Sequence, residues 1–502
     1  MILENIKLVR EGRALVNQGD LPIEPGKVTV IFGASGSGKS TLLYALADLD
    51  ETVRLTTGSG THPLKEKRIG LVPQQSAVFE DLGTAANNIA FAHDHARVSD
   101  RGRLDEAIQR AETALGVQRH WRFPLSGGQK QRVAIGRALA GRADVLLCDE
   151  PTAGLDPASR NEAIQSIRRA AAEGVAVVVV THDLEWNAAD AADLAVVLRE
   201  NALRPHVPGH TLAAEWFRSA GNTTGGTAPV GARLPAWLRA AERIGRSVWW
   251  LLLFPFQIAA GLMGRHRVAP RWFLHHLRHY GRITLGISSW VYLIAGGALV
   301  GFAGAYFSIG ALGVSPHLKA ILYPELLAGS ALGSYRVLIP LITALLVSAK
   351  CGSAIAADIG NRHYGGQIAV MRTLGANPET HLLFSIMVML AVGMPVLGML
   401  AFAAASGGSL AAFLIQFPTE SVYAWRVDYF RLLMRHGLWL DGTGWNIAKL
   451  ALCGAGVGLI AYRAGIAPKS SHTDVGRDIS RSTLWASLWC LVVFMIFALI
   501  EF

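Results

Sequence analysis

Two hydrophobic rhythms divide this chain. Up to about His210, apolar residues come in short blocks separated by charged stretches, whereas from about Ile283 they merge into long runs. In the first part, Val28-Thr29-Val30-Ile31-Phe32, the Val145 to Cys148 run within Ala143 to Glu150, and Val175 to Val180 are largely apolar without polar alternation, the pattern of strands buried on both faces of a parallel sheet. Glu80 to Phe123 instead carries patterns such as Arg103-Leu104-Asp105-Glu106-Ala107-Ile108, which predict helices with a solvated face. In the second part, Ile283 to Phe307, Val337 to Ala357, His381 to Ala404, Trp445 to Tyr462 and Leu484 to Ile500 approach the length of a membrane span, roughly 20 residues.

Between the parts lies a Gly/Thr-rich stretch, residues 221–227, and then Leu234 to Met263, where Arg239, Arg243 and Arg246 precede Trp249 and Trp250. The uninterrupted apolar part is short for a span, so an amphipathic helix in the cytoplasmic interface is expected. The chain thus reads as a mixed α/β section at 1–210, a linker at 211–233, an interfacial helix region at 234–280 and an all-α membrane section at 281–502.

Composition supports this division: 502 residues exceed one ordinary domain, and 51% hydrophobic content exceeds that of most soluble enzymes. The net charge of +10 could indicate nucleic acid. Many of the arginines flank apolar runs, however, so membrane topology explains them and no nucleic-acid partner is expected. The basic segments 265–282, 362–372 and 463–481 face the cytoplasm on this reading. The loops around Lys319 and from Arg426 to Arg435 then lie outside, and an odd number of spans puts Phe502 outside. Met1 to Lys7 lacks the basic and then apolar plan of a signal peptide, so the first section is expected in the cytoplasm. Cys148, Cys351, Cys453 and Cys490 have no metal-type spacing and read as small core residues. His93 and His95 are expected at the surface and receive no chemistry.

The strand at Val28 runs into Gly33-Ala34-Ser35-Gly36-Ser37-Gly38-Lys39-Ser40-Thr41, a strand, loop and helix in the order of a phosphate-binding P-loop. Its glycines (Gly33, Gly36 and Gly38) let backbone N–H groups converge on phosphate. Lys39 neutralises the β and γ charges, and Ser40 offers a hydroxyl to Mg2+. Asp149 and Glu150 end a second strand at the same sheet edge. Asp149 is expected to hold magnesium through water, and Glu150 to orient or deprotonate the attacking water. Leu125-Ser126-Gly127-Gly128-Gln129 opens a helix whose N-terminal N–H groups and dipole favour a γ-phosphate.

Together these motifs make the first 200 or so residues resemble the nucleotide-binding domain of an ATP-binding cassette (ABC) transporter, an α/β P-loop NTPase with a helical subdomain. In that resemblance Leu125 to Gln129 is the family signature, Ala153-Gly154-Leu155-Asp156 the D-loop and His182 the switch histidine. Gln74 is the glutamine that senses magnesium and the membrane domain. The resemblance implies that Ser126, Gly127 and Gly128 serve ATP bound to an opposite subunit, so that one copy cannot complete a site. Where the family usually has an aromatic residue to stack on adenine, this chain reads Leu8-Val9-Arg10-Glu11, and Arg10 is expected to stack its guanidinium instead.

Residues 340–360, with Gln367-Ile368, residues 374–378 and Val475-Gly476-Arg477, resemble the core of MlaE-type permeases of lipid-asymmetry systems. That family's plan is an interfacial helix plus five spans. The resemblance implies an ATP-driven lipid transporter of a bacterial inner membrane, acting here as a homodimer of fused half-transporters, with an MCE protein as a periplasmic partner. An exporter of a drug or peptide, or a non-transporting mechanotransmitting ATPase, are the rival readings. Residues 358–372 are expected to form a short helix facing the ATPase. Arg336 is followed by Val337 where the family often has an acid, and Lys350 and Asp358 are ionisable residues near the cytoplasmic end of the second span. Gly297 and Gly301 have the spacing that lets helices approach closely.

Overall fold

The computed structural model describes residues 2–10, 13–50, 53–58, 64–75, 77–96, 104–187, 191–210, 270–310, 316–434, 440–467 and 472–501. The linker 211–233 and the amphipathic stretch from Leu234 to Met263 lie outside the described residues. The chain divides into two compact units: Met1–Trp272 with Arg362–Pro378, and Phe273–Asn361 with Glu379–Phe502.

The first unit is built on a six-stranded sheet: β1 (Val28–Phe32), β2 (Ile69–Val72), β3 (Val145–Asp149), β4 (Ala176–Thr181), β5 (Leu194–Arg199) and β6 (Ala202–His206). Its spatial order is β6-β5-β1-β4-β3-β2, parallel except for the edge hairpin of β5 and β6. Every residue of β1, β3 and β4 is buried, which is why these strands read as unbroken apolar runs. Parallel alignment brings the C-terminal ends of β1, β2, β3 and β4 to one edge, where ligands of open α/β sheets bind. A small sheet of Lys7–Arg10, Arg13–Val16 and Val53–Thr56 accompanies it.

Helices Ala85–His95 and Leu104–Leu115 form the expected helical subdomain. Thr84 caps the first, its Oγ1 accepting from Asn87 N–H at 3.2 Å, and buried Asn88 exchanges hydrogen bonds with the backbone of Phe79. The surface expectation for His93 and His95 fails, because both are buried. The His95 ring packs 4.4 Å from that of Phe91, and its Nδ1 is 2.7 Å from Phe91 O. Imidazole's apolar face fits a core once a backbone group satisfies its nitrogen, and spacing alone does not reveal that. On the same face Trp272 Nε1 donates to Asp94 Oδ2 at 2.7 Å, and its indole meets Phe91 edge-on at 5.4 Å.

The segment Arg362–Pro378 belongs to this first unit, with helix Gln367–Thr373 at its centre. Gln367 Nε2 donates to Val78 O at 3.0 Å, and Arg362 pairs with Asp81 at 3.3 Å. Gly366 has φ +75°, and a Cβ there lies 2.8 Å from Pro73 Cγ, so only glycine fits the turn.

The second unit is helical. Among the described residues, five helical stretches are long and apolar enough to cross a membrane: Pro270–Ser308, Ile321–Tyr364, Glu379–Gln416, Thr443–Ile466 and Val475–Glu501. Residues around Lys319, expected as an outer loop, instead lie in helix Pro316–Gly333. Its own apolar residues, such as buried Leu327, Ala328 and Ala331, extend the helix into the second span. Gly297 and Gly301 pack directly on the backbone of Ala401 and Ala405, and Gly408 on Ala298, so the small residues join the first and third spans within one chain. Arg336 finds its acid outside the local sequence, in Asp441 at 3.0 Å. All four cysteines are buried thiols.

Candidate active site

The loop after β1 turns through Gly36 (φ +79°) and Gly38 (φ +97°) into helix Lys39–Leu46. At Gly33 a Cβ would sit 3.0 Å from Leu198 O and from Ser37 Oγ, so bare backbone is required there. Ser35 and Gly36 are exposed on the loop crest, Thr41 is half-buried in the first helical turn, and Lys39 is buried. Lys39 Nζ donates to the loop carbonyls of Gly33 at 2.7 Å and Ala34 at 2.8 Å, which holds the ammonium inside the concave loop. Burial lowers the Lys39 pKa, and the nearby carboxylates of Glu150 and Asp149 oppose that shift.

Ser40 Oγ donates to Asp149 Oδ1 at 2.9 Å, joining the first helix to the end of β3. Asp149 is nearly fully buried, and burial raises its carboxyl to about 6 against the Ser40 hydrogen bond that lowers it. A buried carboxyl beside a hydroxyl fits a divalent cation that would take its remaining ligands from phosphate and water, as magnesium does. Among the described residues no group of three or more His, Cys, Asp or Glu gathers elsewhere to hold a metal.

Glu150 follows at φ +44°, a conformation uncommon outside glycine, with its N–H donating to Val180 O at 2.9 Å. This bend places Glu150 Oε1 2.7 Å from His182 Nδ1, at the end of the neighbouring strand β4. Gln74 is exposed in the turn after β2, at the same sheet edge. Sequence reading missed the support behind this row. Thr152 Oγ1 donates to Asp183 Oδ2 at 3.1 Å and accepts from Trp186 Nε1 at 3.2 Å. The polar residue directly after His182 was the available signal.

Ser126 is the N-cap of helix Gly127–Ala140. Its Oγ accepts from Gln129 N–H at 3.3 Å while Gln129 Oε1 accepts from Ser126 N–H at 3.0 Å, a reciprocal capping box. A Cβ on Gly127 would meet Leu155 Cδ2 at 2.9 Å, and one on Gly128 would meet Ser159 Cβ at 3.2 Å. Both glycines thus let the signature pack on the Ala153–Asp156 turn and the helix that follows it. Ser126 and Gly127 are exposed, and among the described residues no hydrogen bond joins them to the Lys39 and Asp149 cluster. Arg10 is exposed at the end of strand Lys7–Arg10, across from Arg13. The side chain against Gly38 is that of Leu15, whose Cβ is 3.5 Å from a Cβ placed on that glycine.

A P-loop sheet with an acidic strand end, a capped signature helix and a five-span helical unit defines a membrane-associated P-loop ATPase. Residues 16–153 match the family described as ABC transporter, and residues 282–500 match the family described as Permease MlaE. The chain belongs to the ABC transporter family, as an ABC ATPase domain fused to an MlaE-type permease. It is a multi-pass membrane protein of the inner membrane with a cytoplasmic ATPase domain.

Similar curated proteins include the Fe(3+) ions import ATP-binding protein FbpC 2 of Pectobacterium atrosepticum, 37% identical over 38% of this chain and 58% of its own. The glutamine transport ATP-binding protein GlnQ of Escherichia coli is 37% identical over 33% of this chain and 73% of its own. The sulfate/thiosulfate import ATP-binding protein CysA of Synechococcus elongatus is 40% identical over 36% of this chain and 55% of its own. The chain therefore spans little more than half the length of two of these three relatives.

Proposed function

We propose that this chain is a fused half-transporter that acts as a homodimer, hydrolyses ATP and thereby moves phospholipid or a similarly hydrophobic molecule. The observation that carries the dimer is the exposed start of helix Gly127–Ala140, capped and shaped for phosphate but not joined to the Lys39 cluster of its own chain. A second copy supplies the missing half to each site. The relatives' names attach Fe(3+) import, glutamine transport and sulfate/thiosulfate import to ATP-binding proteins. The lipid reading is supported instead by the MlaE match of residues 282–500. The section boundaries 1–210, 211–233, 234–280 and 281–502 are part of the same proposal, as is a periplasmic MCE partner.

In this mechanism Lys39 exchanges its two loop carbonyls for the β- and γ-phosphate oxygens of ATP, while Gly33 to Thr41 present backbone N–H groups to the same oxygens. Mg2+, when bound, neutralises phosphate charge and draws electron density from the γ-phosphorus. Ser40, Asp149 and Gln74 would hold it. Glu150 accepts a hydrogen bond from the attacking water and receives its proton, and His182 fixes the Glu150 carboxylate by the 2.7 Å contact. Ser126, Gly127 and Gly128 of the partner copy face the γ-phosphate, so closure and hydrolysis depend on both chains. Arg10 covers the adenine.

The test is ATP-dependent transfer of fluorescent phospholipid by the full chain in proteoliposomes, with ATPase activity measured alongside. Lipid-stimulated hydrolysis and transfer are expected. Hydrolysis unaffected by any lipid, with no transfer and no copurifying lipid, would overturn the transporter reading.

A further inference from the structure

Lys350 is a membrane cation to which the ATPase and dimer readings give no role. It stands in the π-helical turn Ser348–Gly352, inside the span Ile321–Tyr364. Its ammonium donates to Ser288 Oγ at 2.8 Å and Ser289 Oγ at 2.6 Å, both in the first turn of helix Ile287–Gly310. No carboxylate among the described residues forms an ion pair with it. Two other cations within the spans do have such a partner: Lys449 meets Glu501 at 2.8 Å, and Arg336 meets Asp441 at 3.0 Å. Asp358, about 12 Å further along the helix, accepts from Tyr280 OH at 3.1 Å and lies 3.6 Å from His279.

A charge within a span is costly unless its field is answered, and two hydroxyls solvate an ammonium without neutralising it. An ammonium has three donors, of which two are engaged here. The position is accessible, since Ser288 is exposed although Ser289 is buried. Helix Ile287–Gly310 begins just after Arg282, in the basic segment expected at the cytoplasm, so Lys350 lies level with the cytoplasmic end of that helix. On the same helix Ile287, Trp290, Val291 and Ile294 form an exposed apolar stripe at helical spacing. One position therefore joins an unneutralised cation at the start of this helix to an apolar stripe running along it.

We propose that Lys350, held by Ser288 and Ser289, binds the phosphate of an anionic amphiphile whose hydrocarbon chain lies along Ile287, Trp290, Val291 and Ile294. This rests on the lipid-transport reading and deepens it, placing a headgroup subsite at the start of helix Ile287–Gly310.

The test uses the full chain in detergent, titrated with phosphatidylglycerol or diacylglycerol and read by native mass spectrometry. Lys350→Gln should weaken phosphatidylglycerol binding about tenfold, the loss of one charge-assisted contact. Lys350→Arg should restore most of it, and diacylglycerol binding should not change. Ser288→Ala, which keeps the lysine, should weaken phosphatidylglycerol in the same direction by a smaller factor and guards against a folding artefact. Equal phosphatidylglycerol affinity in wild type and Lys350→Gln overturns the site. Complete displacement by millimolar inorganic phosphate reassigns it to a free anion and overturns the amphiphile. Loss of dimer mass in Lys350→Gln shows that a second copy occupies the position, and this also overturns it. Phosphatidylglycerol and diacylglycerol held alike by both proteins sinks only this subsite, whereas absence of all lipid binding and transfer sinks the transport reading beneath it.

Discussion

Glu150 Oε1 and His182 Nδ1 lie 2.7 Å apart and tie the ends of two hydrogen-bonded parallel strands together. If Glu150 is the base and His182 its orienting partner, Glu150→Gln should retain ATP binding while turnover falls by about 100-fold or more. His182→Ala should lose less, because the carboxylate remains but wanders. Nucleotide binding by fluorescence and phosphate release together check this. Near-normal hydrolysis by Glu150→Gln contradicts the assignment.

Burial lifts the Asp149 carboxyl to about 6, above the ordinary value of about 3.9. A folded-state pKa raised above the unfolded one favours the protonated fold. This contribution is therefore fully present below about pH 4 and lost as pH rises through about 6. Magnesium needs the ionised form, so stabilisation by Mg-ATP should run the other way, weak at pH 5 and strong at pH 8. Asp149→Asn should raise the Tm of nucleotide-free protein at pH 8, with the gain shrinking toward pH 4, and abolish the Mg-ATP response. Thermal unfolding across this pH range provides the measurement. A nucleotide-free wild type more stable than Asp149→Asn at pH 8 argues against the burial account.

The Arg362 and Asp81 side chains pair at 3.3 Å with only 7% and 8% exposure. Removing the guanidinium strips a cation from a buried carboxylate, at a cost of about 3–5 kcal/mol where no water replaces it. Arg362→Ala should speed hydrogen exchange in residues 78–82 beyond that in the sheet. Arg362→Gln combined with Asp81→Asn should recover much of the protection. Unchanged exchange in Arg362→Ala shows that the pair does not hold this segment.

Two copies completing each other's sites makes a complementation prediction. Lys39→Ala loses the loop cation, and Ser126→Arg blocks the start of the signature helix, so each variant alone should be inactive. Mixed and reassembled, they should regain activity, since one site in a mixed dimer has both an intact Lys39 and an intact Ser126. No recovery, with mixed dimers demonstrated by mass, refutes shared sites.

Arg10 stands exposed at a strand end, where an aromatic residue is usual in the family. If its guanidinium covers adenine, Arg10→Ala should weaken ATP about tenfold or less and Arg10→Tyr should restore binding. ATP affinity unchanged in Arg10→Ala sinks the stacking role and leaves Leu15, packed on Gly38, as the neighbouring apolar surface.

Local physics was legible in the residues alone. Buried parallel strands need near-continuous apolar runs, a phosphate loop needs glycines before a lysine, and a span needs its length of apolar side chains. The strand at Val28, the loop from Gly33 to Thr41, the acids at Asp149 and Glu150 and the five spans all follow from such short-range rules. Only the tertiary structure decided which distant groups meet. The contact of Trp272 with Phe91 and Asp94, the pairing of Arg336 with Asp441 and of Arg362 with Asp81, and the packing of Gly301 on Ala405 each join residues whose separation in sequence carries no periodic signal. Side-chain pairing across elements depends on how helices cross and strands order, and that is a property of the packed chain rather than of any window within it.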